Sequence, residues 1–368
     1  MGFFINEITY ELKQHINLSE KAWDVIYNDM NSFYGEKNKQ SFSGFLNSIF
    51  YHYYQDAMGS IGIRSEKYRE DLLALVQKQS AVLANEHDLD RIISLLVKEY
   101  ENKLLEKAYA YPKGVGKKFR VNRQNVEILR ESSASSFYHD SIGSYMKAVF
   151  EEYTALSQAE RERVLFKETI DACQFAIAKR NKLKVSLQQR LSANNSESYT
   201  RKFYITPYTV ATDKNGLFNY LVGISEEIKG DGSLGEKRIS SFRISRIQKI
   251  SVMSSMSGFL SHQKIEEINK EISEKSLPYM AGDLISVEVA FTAKGLELFD
   301  RQLYLRPAAF EKIDASTYVF HCTELQAIHY FFKFGRDAFI QKPQYLQEKF
   351  KSYYREAFEA YSRDEQND

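Results

Sequence analysis

The sequence contains little cysteine and no long apolar run, and both absences narrow the class of protein. Cys173 and Cys322 are the only cysteines among 368 residues, which is too few for a disulfide framework. No apolar stretch approaches the length of a membrane span. The N-terminus has no basic segment followed by a long apolar one, as a secretory signal would have. These features predict a protein of the reducing cytoplasm without a membrane partner.

The chain also lacks a large net charge and the usual signatures of catalysis. It has 50 lysines and arginines against 49 acidic residues, so affinity for nucleic acid would have to come from local patches. The 7 histidines are scattered without a metal-binding pair at helical spacing, and no glycine-rich phosphate loop with Lys-Ser or Lys-Thr occurs. We therefore expect a protein that is not an enzyme and that needs no metal or other cofactor.

Aromatic side chains, by contrast, are abundant, with 25 tyrosines and 25 phenylalanines. With 43% hydrophobic residues, the chain is long enough for roughly two to four domains that each bury a core. Most of the rings belong in those cores, and a minority beside basic residues would suit the stacking of unpaired bases. Since strand and helix patterns both occur, we expect a multidomain α+β fold.

Residues 1–156 are predicted to form a helical domain with two copies of one unit, about 8–58 and 117–154. Each copy has the pattern of a strand, a capping residue and two amphipathic helices, with the strands at Ile8–Leu18 and Lys117–Val121. This order resembles a ribbon-helix-helix unit, in which two paired strands present their outer face to a nucleic-acid groove. We expect the two strands to pair antiparallel within one chain. The alternative is two unrelated helical hairpins.

Three further helices are predicted around the second copy. Ser65–Ala84 and Asp88–Ala110 have leucines at helical spacing and would form a spacer packed against the repeats. Ser157–Ala178 is predicted to be one long helix that leads into a strand at Leu183–Leu191. That helix would open the second domain, residues 157–256.

The stretch Arg201–Val252 combines strand patterning, turn residues and arginines. Two aromatic and β-branched runs flank Asn215-Gly216, the strongest short signal of a hairpin. The tripeptide Asn219-Tyr220-Leu221, together with Pro207-Tyr208 before it and Ser241–Ile247 after it, resembles the WYL domain. The resemblance implies a Sm-like β-barrel that binds nucleic acid or nucleotide-like ligands. Asn219 stands where the family has its tryptophan.

Residues 257–368 are predicted to form a third domain. The order of strands and helices from Leu284 to Tyr361 resembles the WCX extension that follows WYL domains, which has a ferredoxin-like α/β form. The order of all three domains resembles the WYL-domain accessory proteins of type VI-D CRISPR systems. That resemblance implies binding of single-stranded RNA, a homodimer through the C-terminal half, and enhancement of an RNA-guided, RNA-targeting CRISPR effector nuclease.

Two other functions remain open at this stage. One is a WYL-family DNA-binding transcription regulator, whose ribbon reads duplex DNA while its barrel senses a nucleotide-like effector. The other is a protein-interaction scaffold whose basic patches bind an acidic partner. A ribbon that reads an operator requires polar side chains on the outer face of both strands, and the sequence meets this requirement only in part.

Three basic clusters carry the expected binding residues: 107–130 and 179–202, with 7 basic residues each, and 237–249 with 5. Such segregation in a nearly neutral chain is typical of phosphate contact, although a solvated face is the simpler explanation for any single cluster. Alternation along the strand favours a core position for Tyr220, whereas the resemblance to WYL domains implies that its ring stacks on a base. Charged residues on the two ribbon strands could equally serve to protect exposed strand edges from pairing with other chains. The predicted nucleic-acid-binding residues are Arg201, Lys202, Tyr220, Arg238, Arg243 and Arg246 on the barrel, and Lys13, His15, Lys118 and Arg120 on the ribbon.

Overall fold

The structure, a computed structural model, describes residues 12–34, 41–79, 86–109, 114–132, 142–189 and 199–364. The chain divides into two compact units, Met1–Lys167 and Glu168–Asp368. The second unit holds both the WYL-like region and the C-terminal region, and the predicted boundaries after residues 156 and 256 stay predictions. Within the described residues, no helix is both long and apolar enough to cross a membrane.

The first unit is helical around one two-stranded ribbon. Its elements are β1 (Lys13–Leu18), α1 (Glu20–Asp29), a π-helical turn (Met30–Tyr34), α2 (Phe42–Gln79), α3 (Glu86–Tyr109), β2 (Val115–Arg120), α4 (Arg123–Ser132), α5 (Ile142–Ala155) and α6 (Gln158–Leu165). β1 and β2 pair antiparallel, with Lys13 opposite Arg120 and Leu18 opposite Val115. The predicted pairing within one chain is therefore confirmed. Residues 8–11 of the predicted first strand lie outside the described residues.

The two copies correspond in their caps and in their buried positions. Ser19 caps α1 by accepting a hydrogen bond from the backbone of Ala22, and Asn122 caps α4 by accepting one from Asn125. At the offset that relates Ser19 to Asn122, His15 corresponds to Lys118, and these two residues lie opposite each other in the ribbon. The ribbon therefore has an approximate two-fold axis between equivalent positions. Both second helices bury the predicted stripes, which are Phe45, Leu46, Ile49, Phe50 and Tyr53 on α2, and Tyr145, Met146, Val149, Phe150 and Tyr153 on α5.

Two helix predictions were wrong in their connectivity. The spacer helix predicted at Ser65–Ala84 is, as far as Gln79, a continuation of α2, which runs unbroken for 38 residues; residues 80–84 lie outside the described residues. The helix predicted at Ser157–Ala178 is instead two helices, α6 and α7 (Lys167–Lys179), with Phe166 between them at φ −115° and ψ 29°. The ring of Phe166 stacks on Tyr34 with centroids 5.5 Å apart, which is a contact that helix periodicity does not predict.

α7 leads into a five-stranded antiparallel sheet with the strand order β6-β5-β4-β3-β7. The strands are β3 (Asn181–Gln189), β4 (Tyr199–Thr212), β5 (Asn219–Ile228), β6 (Arg238–Arg243) and β7 (Ile247–Ser257). β4 and β5 form the predicted hairpin. Gly216 adopts a φ of +68° in its turn, and the carboxylate of Asp213 accepts hydrogen bonds from three backbone N–H groups of the turn.

This sheet is coiled but not closed, so the predicted Sm-like β-barrel was wrong in that respect. β6 and β7 are the two edge strands, and the single 3₁₀ turn Ile244–Arg246 joins them. In register, the end of β6 is level with Ala211 of β4, while the start of β7 is level with Arg201, ten residues away. That separation is about 33 Å along a strand. A three-residue turn spans less than about 15 Å.

The sheet must therefore wrap around one of its faces, which brings its two edges together at the corner Ile244–Arg246. Phe203 on β4 and Phe242 on β6 support this, because their rings meet with centroids 5.2 Å apart although the strands are not neighbours. The face that carries these rings is the inner side, and the opposite face is convex. The chain rounds the corner in a 3₁₀ turn without pairing β6 to β7, which leaves the sheet open.

The C-terminal region has the β-α-β-β-α-β order of ferredoxin-like folds. α8 (His262–Lys275) and a 3₁₀ turn (Leu277–Tyr279) precede it. Its elements are β8 (Leu284–Phe291), α9 (Ala293–Arg301), β9 (Ala309–Lys312), β10 (Thr317–Thr323), α10 (Glu324–Phe331), β11 (Ala338–Lys342) and α11 (Gln344–Asp364), with the antiparallel strand order β11-β8-β10-β9. Sequence patterns did not identify α9 and β9. The four residues of β9 are all exposed, so no alternation marks them.

Candidate nucleic-acid interface

The ribbon brings together the four residues predicted on it, Lys13, His15, Lys118 and Arg120, which we call the ribbon surface. All four are exposed. Lys13 lies opposite Arg120, and His15 opposite Lys118, so the four side chains share one side of the ribbon. Among the described residues, no carboxylate forms an ion pair with Lys13, His15 or Lys118. The ribbon surface therefore presents the positive charges of Lys13 and Lys118 without a carboxylate partner among the described residues.

The buried side-chain amide of Asn47 hydrogen-bonds to the backbone at the end of β2. The side-chain nitrogen of Asn47, on α2, donates to the backbone oxygen of Arg120 at 2.8 Å. Its side-chain oxygen accepts from the backbone N–H of Asn122 at 2.8 Å and from the amide of Asn125 at 2.9 Å. Asn47 thus ties β2 to α2 and α4 in a site where water does not compete, which holds the position of Arg120.

Lys117, between the exposed cations of β2, is held inside the unit instead. Its ammonium lies 4.2 Å from the ring centroid of Tyr27 and 4.9 Å from that of Trp23, and it donates to the Tyr27 hydroxyl at 2.5 Å. These cation–π contacts keep the charge against aromatic faces. Strand alternation thus divides the basic cluster into outward and inward members.

Two of the arginines predicted on the five-stranded sheet are neutralised by carboxylates. Arg201 pairs with Glu227 through two of its guanidinium nitrogens, Nε and Nη2, and its Nε lies 2.5 Å from Glu227 Oε1. That hydrogen bond and the charge of Arg201 hold the pKa of Glu227 below its usual value. Arg238 donates to Glu236 at 2.9 Å, although both side chains are largely exposed. Both arginines are poorer phosphate ligands than their sequence context predicts, because each is already paired.

Arg243 and Arg246 lie at either end of the turn between β6 and β7, in different surroundings. The guanidinium carbon of Arg243 is 3.2 Å from the ring centroid of Phe218, and its Nε donates to the hydroxyl of Ser245 at 2.8 Å. Arg243 is thus half-buried and held in place. Arg246 is exposed, and no described carboxylate pairs with it. Of the two, Arg246 is the one whose charge is available to a phosphate.

Tyr220 lies in a buried core cluster. Its side chain is 8% exposed and packs with Val222, Ile268, Leu277 and Met280 beneath α8. This is the core position that strand alternation favours, and the expected stacking role has no exposed ring face to support it. Asn219, in place of the family tryptophan, is fully buried, and the Thr212 hydroxyl hydrogen-bonds to its side-chain oxygen at 2.9 Å.

The convex side of the sheet carries a basic patch that sequence analysis did not select as a whole. We call Lys184, Lys202, Tyr204 and Lys249 the lysine face. Lys184 lies opposite Tyr204, and Ser186, two residues further along β3, lies opposite both Lys202 and Lys249. Opposed residues share a side of the sheet, and so do residues two apart on a strand, which places all four side chains together. The inner side is marked by Leu183 and Val185, which are fully buried.

A carboxylate also lies on the side of the sheet that carries the lysine face, since Glu226 is opposite Tyr204. Among the described residues, no carboxylate pairs with Lys184, Lys202 or Lys249. The ammonium of Lys184 lies 5.8 Å from the ring centroid of Tyr204, which joins cation and aromatic on one surface. Lys182, two residues before Lys184 on β3, is instead bound to the buried Glu226 at 3.0 Å. The face therefore combines three available ammonium groups with a half-buried ring.

Of the ten predicted residues, the lysine face contains only Lys202. A usable signal for the others was present in NKLKVSLQQ, the sequence of β3, where lysines alternate with buried aliphatic residues. That alternation assigns Lys184 to an outer side. Lys249 and Tyr204 needed the register of β3 with its two neighbours, which the sequence does not show.

One cavity among the described residues belongs to neither surface. It has a volume of about 690 Å³ and is lined by Leu305, Ile328, His329, Phe332, Lys333, Tyr353, Glu356 and Ala357. Burial, together with the charge of Lys333, lowers the pKa of His329. The described residues contain no group of three or more side chains placed to hold a metal ion.

Comparison with known proteins gives a fold but no family. No family model matches the sequence, and no curated protein matches it. One solved structure, a CRISPR Cas-related protein, matches with a TM-score of 0.68 and 23% identity over 97% of this chain and 95% of the other. Another, the proteasome accessory factor B/C of Arthrobacter aurescens, has a TM-score of 0.25 and 10% identity over 95% of this chain and 50% of the other, and supports no conclusion. Over nearly its whole length, the chain thus shares the fold of a CRISPR Cas-related protein.

Proposed function

We propose that the protein is a non-catalytic, cytoplasmic RNA-binding accessory protein of a CRISPR system. In this proposal it binds single-stranded RNA and enhances an RNA-guided, RNA-targeting nuclease. The observation that carries it is the lysine face, where three ammonium groups without described carboxylate partners lie beside Tyr204 on one side of a sheet. Phosphates meet such ammonium groups while an unpaired base meets the ring.

The shape of the sheet favours a single strand over a duplex. The lysine face lies on the convex side, since the inner side is filled by Phe203, Phe242 and their neighbours. A convex surface contacts one backbone and does not enclose a helix. Bases of a single strand can turn toward Tyr204, whereas bases in a duplex are stacked on each other and cannot.

The CRISPR part of the proposal rests on likeness of two kinds. A CRISPR Cas-related protein has the same fold over nearly the whole chain. In addition, Asn219-Tyr220-Leu221 and the order of the regions resemble the WYL-domain accessory proteins of type VI-D systems. Neither likeness says what the lysine face binds, so RNA binding and nuclease enhancement are tested separately.

We further propose a homodimer through the C-terminal half, formed by α11. The end of this helix exposes aromatic side chains, with Phe358 71% exposed and Tyr361 80% exposed. Tyr353 and Ala357 of the same helix line the 690 Å³ cavity, so each copy offers both protruding rings and an apolar recess. Phe358→Ala with Tyr361→Ala should give a monomer by analytical ultracentrifugation. A wild-type monomer at high concentration would remove this part of the proposal.

The first test compares a single-stranded RNA with a duplex DNA of equal length by fluorescence anisotropy at several salt concentrations. We expect the RNA to bind more tightly, with affinity that falls steeply as salt rises because phosphate contacts release counterions. A preference for duplex DNA would contradict RNA binding and would favour a transcription regulator. If the protein binds neither nucleic acid, the remaining candidate function is a protein-interaction scaffold.

The second test adds the protein to a reconstituted RNA-guided RNA nuclease and measures the cleavage rate. We expect the wild type to raise the rate and the variant lacking the three lysines of the lysine face to raise it less. Tight RNA binding without any effect on cleavage would leave the RNA-binding proposal intact and would contradict the accessory role.

One observation supports a second candidate function, a DNA-binding regulator. The two strands of the ribbon pair within one chain and carry Lys13, His15, Lys118 and Arg120 on one side, as a ribbon that enters a groove requires. In that case Lys13→Ala with Lys118→Ala should abolish binding to duplex DNA and leave single-stranded RNA binding unchanged. Anisotropy with both ligands distinguishes the two candidates.

A further inference from the structure

The basic row on β3 continues beyond the lysine face to a corner of the sheet. Lys184 and Lys182 are two residues apart on the strand, a step of about 7 Å. Arg180 precedes Lys182 by two residues, directly before β3 begins at Asn181. A step of that size is close to the spacing of neighbouring phosphates in an extended single strand. Because Lys182 is held by Glu226, the cations of this row without a described carboxylate partner are Lys184 and Arg180, about two phosphate spacings apart.

The backbone at this corner is fixed in an unusual conformation. Arg180 has a φ of +52°, a region that side-chain-bearing residues seldom adopt. Its carbonyl oxygen accepts a hydrogen bond from the backbone N–H of Gly258 at 2.6 Å. A Cβ on Gly258 would lie 2.5 Å from the carbonyl oxygen of Asn181, so only glycine fits there. The strain is held by two chain segments locked together, as is common at binding sites.

The locked corner presents an exposed ring beside a guanidinium group. Phe259, next to Gly258, is 62% exposed, and its ring centroid lies 5.7 Å from the guanidinium carbon of Arg180. α8 begins at His262 and has no acidic residue in its first turn, so the positive end of its dipole lies near the same corner. An exposed phenylalanine costs free energy in water, and here it stands where cations would bring a phosphate backbone.

We propose that Phe259 and Arg180 form the terminal subsite for single-stranded RNA, with a base stacked on Phe259 and its phosphate at Arg180. The RNA backbone runs along β3 from Lys249 and Lys202, past Lys184, to this corner. This inference rests on the proposed RNA binding and adds the path of the strand and a base contact. The ligand is recognised by its unpaired bases and its phosphates, without a requirement for a particular base, because every base has a stacking face.

The test uses two probes of about ten nucleotides: an oligouridylate and an oligomer with the same ribose-phosphate backbone but no bases. We expect the wild type to prefer the oligouridylate, because only that probe can stack. Phe259→Ala should bind the oligouridylate about tenfold more weakly, the loss expected for one stacked base. It should bind the abasic probe unchanged and keep the salt dependence of the wild type.

Two further variants separate stacking from charge and from general exposure. Arg180→Gly suits the positive φ, so it should fold, and it should reduce the slope of log affinity against log salt by roughly 0.7 with both probes. Phe339→Ala removes a phenylalanine of similar exposure, 53%, on β11 and should change neither probe. Circular dichroism confirms that each variant is folded.

Each failure has a distinct meaning. If Phe259→Ala keeps the wild-type preference for the oligouridylate, the subsite is overturned while RNA binding stands. If Phe339→Ala weakens the oligouridylate as much as Phe259→Ala does, the subsite is likewise overturned. If the wild type binds neither probe, the proposed function itself fails.

Discussion

The ribbon surface and the lysine face are both basic, yet they arise in opposite ways. On the ribbon, the two strands are short and their neighbours are few, so Lys13, His15 and Lys118 on the outer side form no ion pair with a carboxylate among the described residues. In the five-stranded sheet, longer strands bring acids next to bases. Glu227 neutralises Arg201, and Glu226 binds Lys182. The lysines left over become the available charge. In a sheet with mixed charges, register decides which cations remain free.

The two units also use arginine–carboxylate pairs differently. In the first unit, Arg161 holds Asp29 by hydrogen bonds of 2.6 and 3.0 Å, and the Tyr153 hydroxyl donates to the same carboxylate at 2.8 Å. Burial raises the pKa of Asp29 despite its partner, because the charge is removed from water. In the second unit, the pair of Arg201 and Glu227 remains partly in solvent. The Arg161–Asp29 pair stabilises the interior of its unit, whereas the Arg201–Glu227 pair reduces the net charge of the surface.

The largest expected effect is the loss of the buried pair. Arg161→Ala leaves Asp29 buried without its cation, which should lower the free energy of unfolding by about 3–5 kcal/mol. Arg201→Ala removes an arginine from a partly exposed pair and should cost less than about 1 kcal/mol. Urea denaturation of both variants measures the difference. Equal costs would contradict the distinction between the two units.

The next largest effect concerns RNA affinity. Replacing Lys184, Lys202 and Lys249 by alanine should weaken single-stranded RNA binding on the order of a hundredfold, because three charge-assisted contacts are lost. The slope of log affinity against log salt should fall by about 2. The matched control is Arg201→Ala with Arg238→Ala, which removes two charges that already have partners. If the control variant loses as much RNA affinity as the triple variant, the paired arginines and not only the lysine face contribute to the binding site.

A smaller effect is expected from the ribbon. Lys13→Ala with Lys118→Ala should change single-stranded RNA affinity by less than about twofold if the lysine face is the site, since neither lysine belongs to it. Anisotropy with the RNA used for the triple variant measures this. A loss similar to that of the triple variant would show that the two surfaces act together on one ligand.

The smallest effect is a pH dependence of the Arg201–Glu227 pair. The pKa of Glu227 in the folded protein lies below its ordinary value of 4.5 because Arg201 donates a hydrogen bond to the carboxylate. The pair therefore stabilises the protein above pH 4.5, and this contribution disappears as the pH falls through the folded pKa. The difference in Tm between wild type and Arg201→Ala should be small near neutral pH and should shrink as the pH falls below 4.5. A difference that grows on acidification would contradict this assignment.

Sequence patterns predicted the first unit well because its signals are local. The caps Ser19 and Asn122 and the stripe from Phe45 to Tyr53 follow from spacing within a few turns. The strand pairing followed because the two copies repeat each other. The break at Phe166 did not, since it depends on a ring contact with Tyr34, far away in the chain.

The sheet of the second unit was harder to predict for the same physical reason. Its strands and its Asn215-Gly216 turn were correctly placed, but its coiling depends on the register of all five strands. The same register buries Tyr220 beneath α8 and gives Arg201 its carboxylate. Residues chosen by type alone therefore included some that the fold makes unavailable, while Lys184 and Lys249 remained in wider clusters.

The ribbon joins β1 and β2 of one polypeptide, with equivalent positions His15 and Lys118 at its centre. A ribbon shared between two chains forms only as fast and as completely as protein concentration permits. Here the strands are tethered, so the surface is complete at any concentration. The halves are also free to diverge, and they have done so: one carries histidine where the other carries lysine. Such a ribbon can meet a target that lacks two-fold symmetry, whatever the state of assembly of the rest of the molecule.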